Sequence, residues 1–183
     1  MIIGVTGTLG AGKGTVVEYL ITKGFKHYSA RELIEDEIKH RGLEANRDIT
    51  TLVANDLRAQ FGPNVIAERL FVNAIEGGGD AVIESLRAPA EVDYLRGRGN
   101  FQLWAIDADP KRRYGWIRGR GSYTDQVTFE KFLADEAREM RSDDPTKQNI
   151  GACIKLADHI FYNNGSREDL WAQVDKYLQS YII

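Results

Sequence analysis

The sequence predicts an α/β fold in which a five-stranded parallel sheet carries helices on both faces, giving three layers. Three observations predict it. Short apolar runs alternate with segments of helical periodicity along the 183 residues. Most of those runs are nearly continuously apolar, as strands buried on both faces must be. The first run, residues 2–6, opens into a loop with glycines at 7, 10, 12 and 14, and a helical pattern follows at once.

The elements follow in order. Runs at 2–6, 26–29, 81–85, 101–106 and 159–162 predict the strands, with 26–29 the weakest. A helix over residues 12–22 is stopped by Gly24, and one over 30–40 by Gly42. Asp48 reads as an N-cap, after which Ile49, Leu52, Val53 and Leu57 keep helical spacing to Phe61. Gly62-Pro63 is a turn. Val65, Ile66, Leu70, Phe71 and Ala74 mark the next helix, ended by three glycines at 77–79. Asp109-Pro110 supplies a cap and a proline at the first helical position. Residues 125–138 read as a helix carrying Asp135 and Arg138, with Arg141 beyond. Ser166 and Asp169 approximate a capping box for the last helix.

Composition narrows the function classes. With 24 basic and 27 acidic residues the net charge is −3, which gives no bulk attraction for nucleic acid. No apolar run has the length of a membrane span, and the first run lacks the basic flank of a secretory signal. One cysteine, Cys153, fits a reducing cytoplasm. The histidines at 27, 40 and 159 are scattered, so no transition-metal site is built from them. The expectation is a single cytoplasmic domain over residues 1–183, monomeric or homodimeric, acting on a small molecule without nucleic acid or membrane.

The loop at residues 7–15, Gly-Thr-Leu-Gly-Ala-Gly-Lys-Gly-Thr, carries the chemistry. Successive backbone N–H groups in a glycine-rich turn form a concavity for anions, and the helix start adds partial positive charge. Gly7, Gly10, Ala11, Gly12, Lys13, Gly14 and Thr15 are the candidate phosphate-binding residues. Lys13 supplies a point charge for the β- and γ-phosphates, and Thr15 a hydroxyl facing Mg²⁺. Gly14 stands where the general phosphate-loop pattern has Ser or Thr, and the hydroxyl comes one residue later.

That Gly-x-x-Gly-x-Gly-Lys-Gly-Thr spelling resembles adenylate kinases and the wider nucleoside monophosphate kinase superfamily. Four further segments extend the resemblance. His27 to Ile34 is similar to the segment that opens the monophosphate region; the family arginine there is Glu35, and Arg31, one turn earlier, is its candidate substitute. Residues 82–87, Val-Ile-Glu-Ser-Leu-Arg, resemble the end of the third strand, which implies a magnesium-linked carboxylate at Glu84 and an acceptor clamp at Arg87. Residues 107–121 resemble the start of a lid, too short here for a separate lid domain. The resemblance implies arginines that close over the transferred group, at Arg120 and Arg138. Residues 157–166 resemble the last strand and loop of dephospho-coenzyme A kinases, which implies a position near adenine for Asn164. Over most of its length the chain resembles an archaeal set of adenylate-kinase-like proteins.

The resemblance implies an ATP- and Mg²⁺-dependent phosphotransferase, with an acceptor insert at about 30–76 and a short lid at about 113–141. Lys13, Arg87, Arg120 and Arg138 are the candidate catalytic residues. Arg31, Arg58, Arg69 and Arg87 are the candidates for holding the acceptor, a nucleoside or deoxynucleoside monophosphate. Trp104, Trp116 and Trp171 read first as packing residues, with stacking on adenine left open for a ring near Arg120. Two alternatives stay open: a dephospho-coenzyme A kinase, and a nucleotide-binding switch derived from a kinase.

Overall fold

The computed structural model describes residues 1–120, 127–145 and 147–180. In chain order the elements are β1 (Ile2–Gly7), α1 (Lys13–Thr22), β2 (Lys26–Ser29), α2 (Ala30–His40), α3 (Arg47–Phe61), α4 (Val65–Gly77), β3 (Ala81–Glu84), α5 (Pro89–Arg96), β4 (Phe101–Asp107), α6 (Pro110–Arg120), α7 (Phe129–Met140), α8 (Ile150–Leu156), β5 (His159–Tyr162) and α9 (Arg167–Gln179). The five strands are parallel, in the order β2-β3-β1-β4-β5.

Alternation along the strands assigns the two faces. Ala81, Ile83 and Leu103 pack with α2, α3, α4, α5 and Cys153 of α8. Ile3, Val5, Val82, Trp104 and Ile106 pack on the other side with Val16, Val17 and Leu20 of α1 and Leu170 and Val174 of α9. Trp104 is fully buried, its ring centroid 5.2 Å from that of Phe161 and 5.5 Å from that of Tyr177. Each such side chain contributes about 1.5–3 kcal/mol by leaving water. β2 is an edge strand, which explains its weak apolar signal: only Ser29 of its four residues is buried.

The structure adds two helices that the periodicity did not mark. α5 spans only eight residues and α8 seven, too short for a helical repeat to stand out. It also moves one cap. The side chain of Asn46, not Asp48, accepts from the Ile49 N–H at 2.9 Å, so Asp48 lies within the first turn. α7 starts at Phe129 behind a Thr128 cap; the earlier part of its expected span, 125–126, lies outside the described residues. Asp109 caps α6, accepting from the N–H groups of Lys111 and Arg112 at 2.9 and 3.2 Å. Ser166 and Asp169 form the capping box of α9.

Chain order and strand order together place the site. β1 is central, with β3 on one side and β4 on the other: the chain fills the β2-β3 side of β1 first and then crosses to β4 and β5 on the other side. Ligands in open parallel sheets settle beyond the strand C-termini at such a switch point. The glycine-rich loop leaves β1 there, and Glu84 is the last residue of the neighbouring β3.

Candidate functional site

Backbone geometry shapes the loop first. Gly7 has φ 132°, and a Cβ on it would lie 2.0 Å from the Ile106 carbonyl oxygen of β4. Gly12 has φ 99°, and its Cβ would lie 2.5 Å from Asn163 Nδ2. Only glycine fits both the sign of φ and the space. The loop is then held from outside. Asn163 Nδ2 donates to the Ala11 carbonyl at 2.9 Å, and Arg113 Nη1 to the Leu9 carbonyl at 2.8 Å. The Thr8 hydroxyl donates to Asp107 at 2.7 Å. The segments after β4 and β5 thus fix the loop that follows β1.

Lys13 is the first residue of α1, and its Nζ curls back to donate to the carbonyls of Gly7 and Thr8 at 2.9 and 2.8 Å. Its pKa is lowered to about 7, by burial first and then by Arg87 and Arg47, with Glu84 and Glu139 acting in the opposite direction. A cation under that pressure, in a loop whose concavity a Cβ at Gly12 would fill, fits a polyanionic ligand. Thr15 follows two residues later in the same cleft, a position from which its hydroxyl fits a hard cation beside the phosphates.

The cleft beyond the loop has a volume of about 590 Å³. Glu84 enters it from the end of β3. Its Oε2 accepts from His27 Nε2 at 3.0 Å, since within this pair an ionised carboxylate can only accept and the ring must donate. Burial pushes the Glu84 carboxyl up, but the His27 hydrogen bond and the charges of His27, Lys13 and Arg87 outweigh it and hold the pKa below the usual carboxylate value. Ser85 follows with φ 71°, a left-handed conformation that is strained for a non-glycine residue. It turns the chain so that Arg87 also reaches the cleft.

Of the residues expected from the sequence, Gly10, Ala11, Gly12, Lys13, Thr15, Arg31, Arg58, Glu84 and Arg87 line this one cleft. Five others stand elsewhere. Gly7 lies beneath the loop against β4, and Gly14 faces outward. Asn164 instead caps the turn into α6, its Oδ1 accepting from the Asp109 N–H at 2.9 Å; its neighbour Asn163 is the residue in the cleft. Arg69 sits over the Phe61 ring at 5.3 Å, beside a shallow groove between α2 and α4, because α4 presents it away from the sheet edge. Arg138 is half-exposed and pairs with Asp48 at 3.1 Å and Asp135 at 3.3 Å, so it is tied across the outer side of α7. The side chain of Arg120 lies outside the described residues.

Arg58 is in the cleft wall but already committed. Its Nε and Nη2 donate to Glu91 Oε1 at 3.0 and 2.8 Å, with both side chains buried. Arg31 donates from Nε to Glu35 at 2.7 Å; Glu35 does not line the cleft. The sequence reading missed Arg47, Glu139 and Gln148, which line the cleft from α3, α7 and the turn before α8; Trp116, read first as packing with stacking left open, lines the cleft as well. The signal for Glu139 was present: it neighbours Arg138 in the last turn of a helix already marked as a lid.

The whole chain aligns with the UPF0200 protein TK1334 of Thermococcus kodakarensis, 32% identical over 189 residues that cover 100% of this chain and 98% of the relative. Residues 3–143 match the AAA_18 family of AAA domains. The chain belongs to the UPF0200 family of P-loop kinase-like proteins. A second UPF0200 relative, from Methanocaldococcus jannaschii, is 31% identical and covers 98% of this chain and 89% of its own. Among solved structures, the UPF0200 fold is similar to TT1252 of Thermus thermophilus, with TM-score 0.66 at 20% identity over 98% of this chain and 97% of that one. It is similar to the shikimate kinase of Bacteroides thetaiotaomicron, TM-score 0.60 at 11% identity, covering 98% of each chain. It is also similar to the dephospho-CoA kinase of Campylobacter jejuni, TM-score 0.53 at 18% identity over 98% of this chain and 96% of that one. These likenesses establish the P-loop kinase fold.

Proposed function

We propose that this chain is a small-molecule kinase that moves the γ-phosphoryl group of ATP to the phosphate of a nucleoside or deoxynucleoside monophosphate. One observation carries the reading: Lys13, in a loop shaped for phosphates, faces the same cleft as Glu84, Arg87 and Arg31. A site for nucleotide binding alone needs the loop; cations on the opposite wall serve a second anion. In this reading the acceptor insert at about 30–76 and the short lid at about 113–141 are the two regions that enclose the reactants.

The loop N–H groups and Lys13 hold the β- and γ-phosphates. Thr15 and Glu84, the latter through water, would hold Mg²⁺, which when bound neutralises charge developing on the phosphate oxygens. His27 keeps Glu84 ionised and oriented for that duty. Arg87 grips the acceptor phosphate. An oxygen of that phosphate attacks the γ-phosphorus as the bond to the β-bridging oxygen breaks, releasing ADP. The attacking oxygen is already anionic at neutral pH, so no side chain has to remove a proton. The protein supplies position, charge and exclusion of water. Trp116, beside the loop, is placed to cover a base face.

The test is ADP release measured with a panel of nucleoside and deoxynucleoside monophosphates together with dephospho-coenzyme A. A monophosphate should stimulate release, and Lys13→Ala should lower that rate by more than ~10²-fold, about 2.7 kcal/mol of transition-state stabilisation. Stimulation by dephospho-coenzyme A alone would move the acceptor to a hydroxyl; the ending at residues 157–166 and the dephospho-CoA kinase-like fold favour that second reading. ATP binding without stimulation by any acceptor would make the chain a nucleotide-binding switch.

A further inference from the structure

A buried carboxylate sits between two cleft arginines that belong to different elements. Glu139 Oε1 accepts from Arg47 Nη2 at 2.7 Å, and Glu139 Oε2 accepts from Arg87 Nη1 at 2.8 Å. Glu139 is 3% exposed, and all three residues line the cleft. Gln148 Oε1 takes a further bond from Arg87 Nη1 at 3.0 Å.

Three features show that this is not a plain structural ion pair. Arg47 is the first residue of α3 and Glu139 lies in the last turn of α7. Each has the wrong sign for its own helix dipole, so neither is placed there to stabilise its helix. The two arginines are also under-used. Among the described residues the buried Arg47 Nε makes no hydrogen bond, and it stands 3.6 Å from a carboxylate oxygen of Asp135. Nε and Nη2 of Arg87 make no hydrogen bond among the described residues. Finally, the N-terminus of α3 adds its own partial positive charge at the point where Arg47 stands, so an anion is favoured there twice over. One carboxylate uses two of the ten guanidinium N–H donors of the pair. A tetrahedral oxyanion, with three free oxygens, can use more of them.

We propose that Arg47 and Arg87 form the seat for the phosphate of the acceptor, and that Glu139 is a built-in occupant which the substrate displaces. The inference rests on the kinase reading and specifies its acceptor side. The seat lies close enough to Lys13 for Arg47, Arg87 and Glu139 all to act on its charge, which sets the acceptor phosphate beside the phosphate loop. Exchange of Glu139 for phosphate removes one of the ion pairs that join the end of α7 to the start of α3, while Arg138 stays on Asp48 at 3.1 Å and Asp135 stays 3.6 Å from Arg47. Acceptor binding and the hold of α3 on the end of α7 are then linked. The same exchange gives selectivity: an acceptor without an anion leaves Glu139 in place.

The experiment titrates inorganic phosphate, and acetate as the carboxylate comparison, into the full chain saturated with Mg²⁺ and a non-hydrolysable ATP analogue. The arginine Nε–H resonances report the seat directly. Phosphate should shift the Arg47 and Arg87 signals. Glu139→Gln, which keeps the shape and removes the charge, should bind phosphate at least 10-fold more tightly than the native chain. Adding Arg47→Gln should abolish that gain. Should Glu139→Gln fold poorly, Glu139→Asp, which withdraws the carboxylate from the bridge while keeping its charge, should give a smaller gain of the same sign. Equal or weaker phosphate binding by a folded Glu139 variant, with the ATP analogue still bound, would overturn the inference and leave the kinase reading standing. Acetate binding as tightly as phosphate would overturn the assignment to phosphate. Failure of the analogue to bind would sink the kinase reading instead, and the arginine signals would still decide the seat in the phosphate titration alone.

Discussion

Lys13 is the residue on which the phosphate loop turns, and its charge depends on what lies beside it. Burial and the neighbouring Arg87 and Arg47 depress its pKa to about 7. The sign follows directly. In the free chain at pH 8 a group with that pKa is about nine-tenths neutral. A triphosphate beside it favours the ammonium form and raises the pKa. Binding of ATP at pH 8 should therefore take up as much as about 0.9 proton at this residue. Calorimetry in buffers of different ionisation enthalpy measures that uptake. Lys13→Arg, whose head group is charged at every accessible pH, should remove it. Equal uptake by the two proteins would show that Lys13 is already charged in the free chain. Lys13 was legible in the sequence because the phosphate loop is local: the spacing of glycines and one lysine states the geometry outright. Arg47 was not legible. It is one of many arginines on helix surfaces, and only the fold, which brings the start of α3 to the end of α7, shows that its partner is a buried glutamate.

At the scale of elements, α5 holds one wall of the cleft together. Glu91 Oε2 accepts from the N–H groups of Arg87 and Ala88 at 2.8 and 3.0 Å, while Oε1 binds Arg58 of α3. One carboxylate thus fixes the turn that carries Arg87 and ties it to α3. Arg58 and Glu91 are 2% and 1% exposed, so losing either leaves a buried charge without its partner. Glu91→Ala should cost about 3–5 kcal/mol, seen as a lower urea midpoint with an unchanged slope. Arg58→Met with Glu91→Leu should cost less than Glu91→Ala alone, because no orphan charge remains. A loss below about 1 kcal/mol for Glu91→Ala would place the pair in the class of solvent-screened surface bridges and contradict its burial. The element level also shows why the sequence yielded the strands and long helices but not α5. Eight residues give two turns, and its apolar positions, Val92 and Leu95, are too few to set a period. The proline at its first position was the better signal.

At the scale of the molecule, the cleft couples parts that are far apart in the chain. The phosphate loop is bonded to Asn163 before α9 and to Arg113 of α6, and Arg113 in turn donates to Glu136 of α7 at 3.0 Å through Nη2. Both faces of the sheet contribute, since α1 and α9 pack on one and α2 to α5 on the other. A ligand in the loop therefore stabilises the whole fold rather than one lobe. Anything that binds the folded chain and not the unfolded one adds RT ln(1 + [L]/Kd), about 2.7 kcal/mol at a hundredfold excess over Kd. For a domain of this size each kcal/mol moves the melting midpoint by about 2–4 °C. Mg²⁺ with a non-hydrolysable ATP analogue at that excess should raise the midpoint of a single transition by about 5–11 °C. Lys13→Ala at the same ligand concentration should shift far less. Two separate transitions, with only one moved by the ligand, would mean that the lobes unfold independently and that the loop's tethers to α6 and α9 do not couple them.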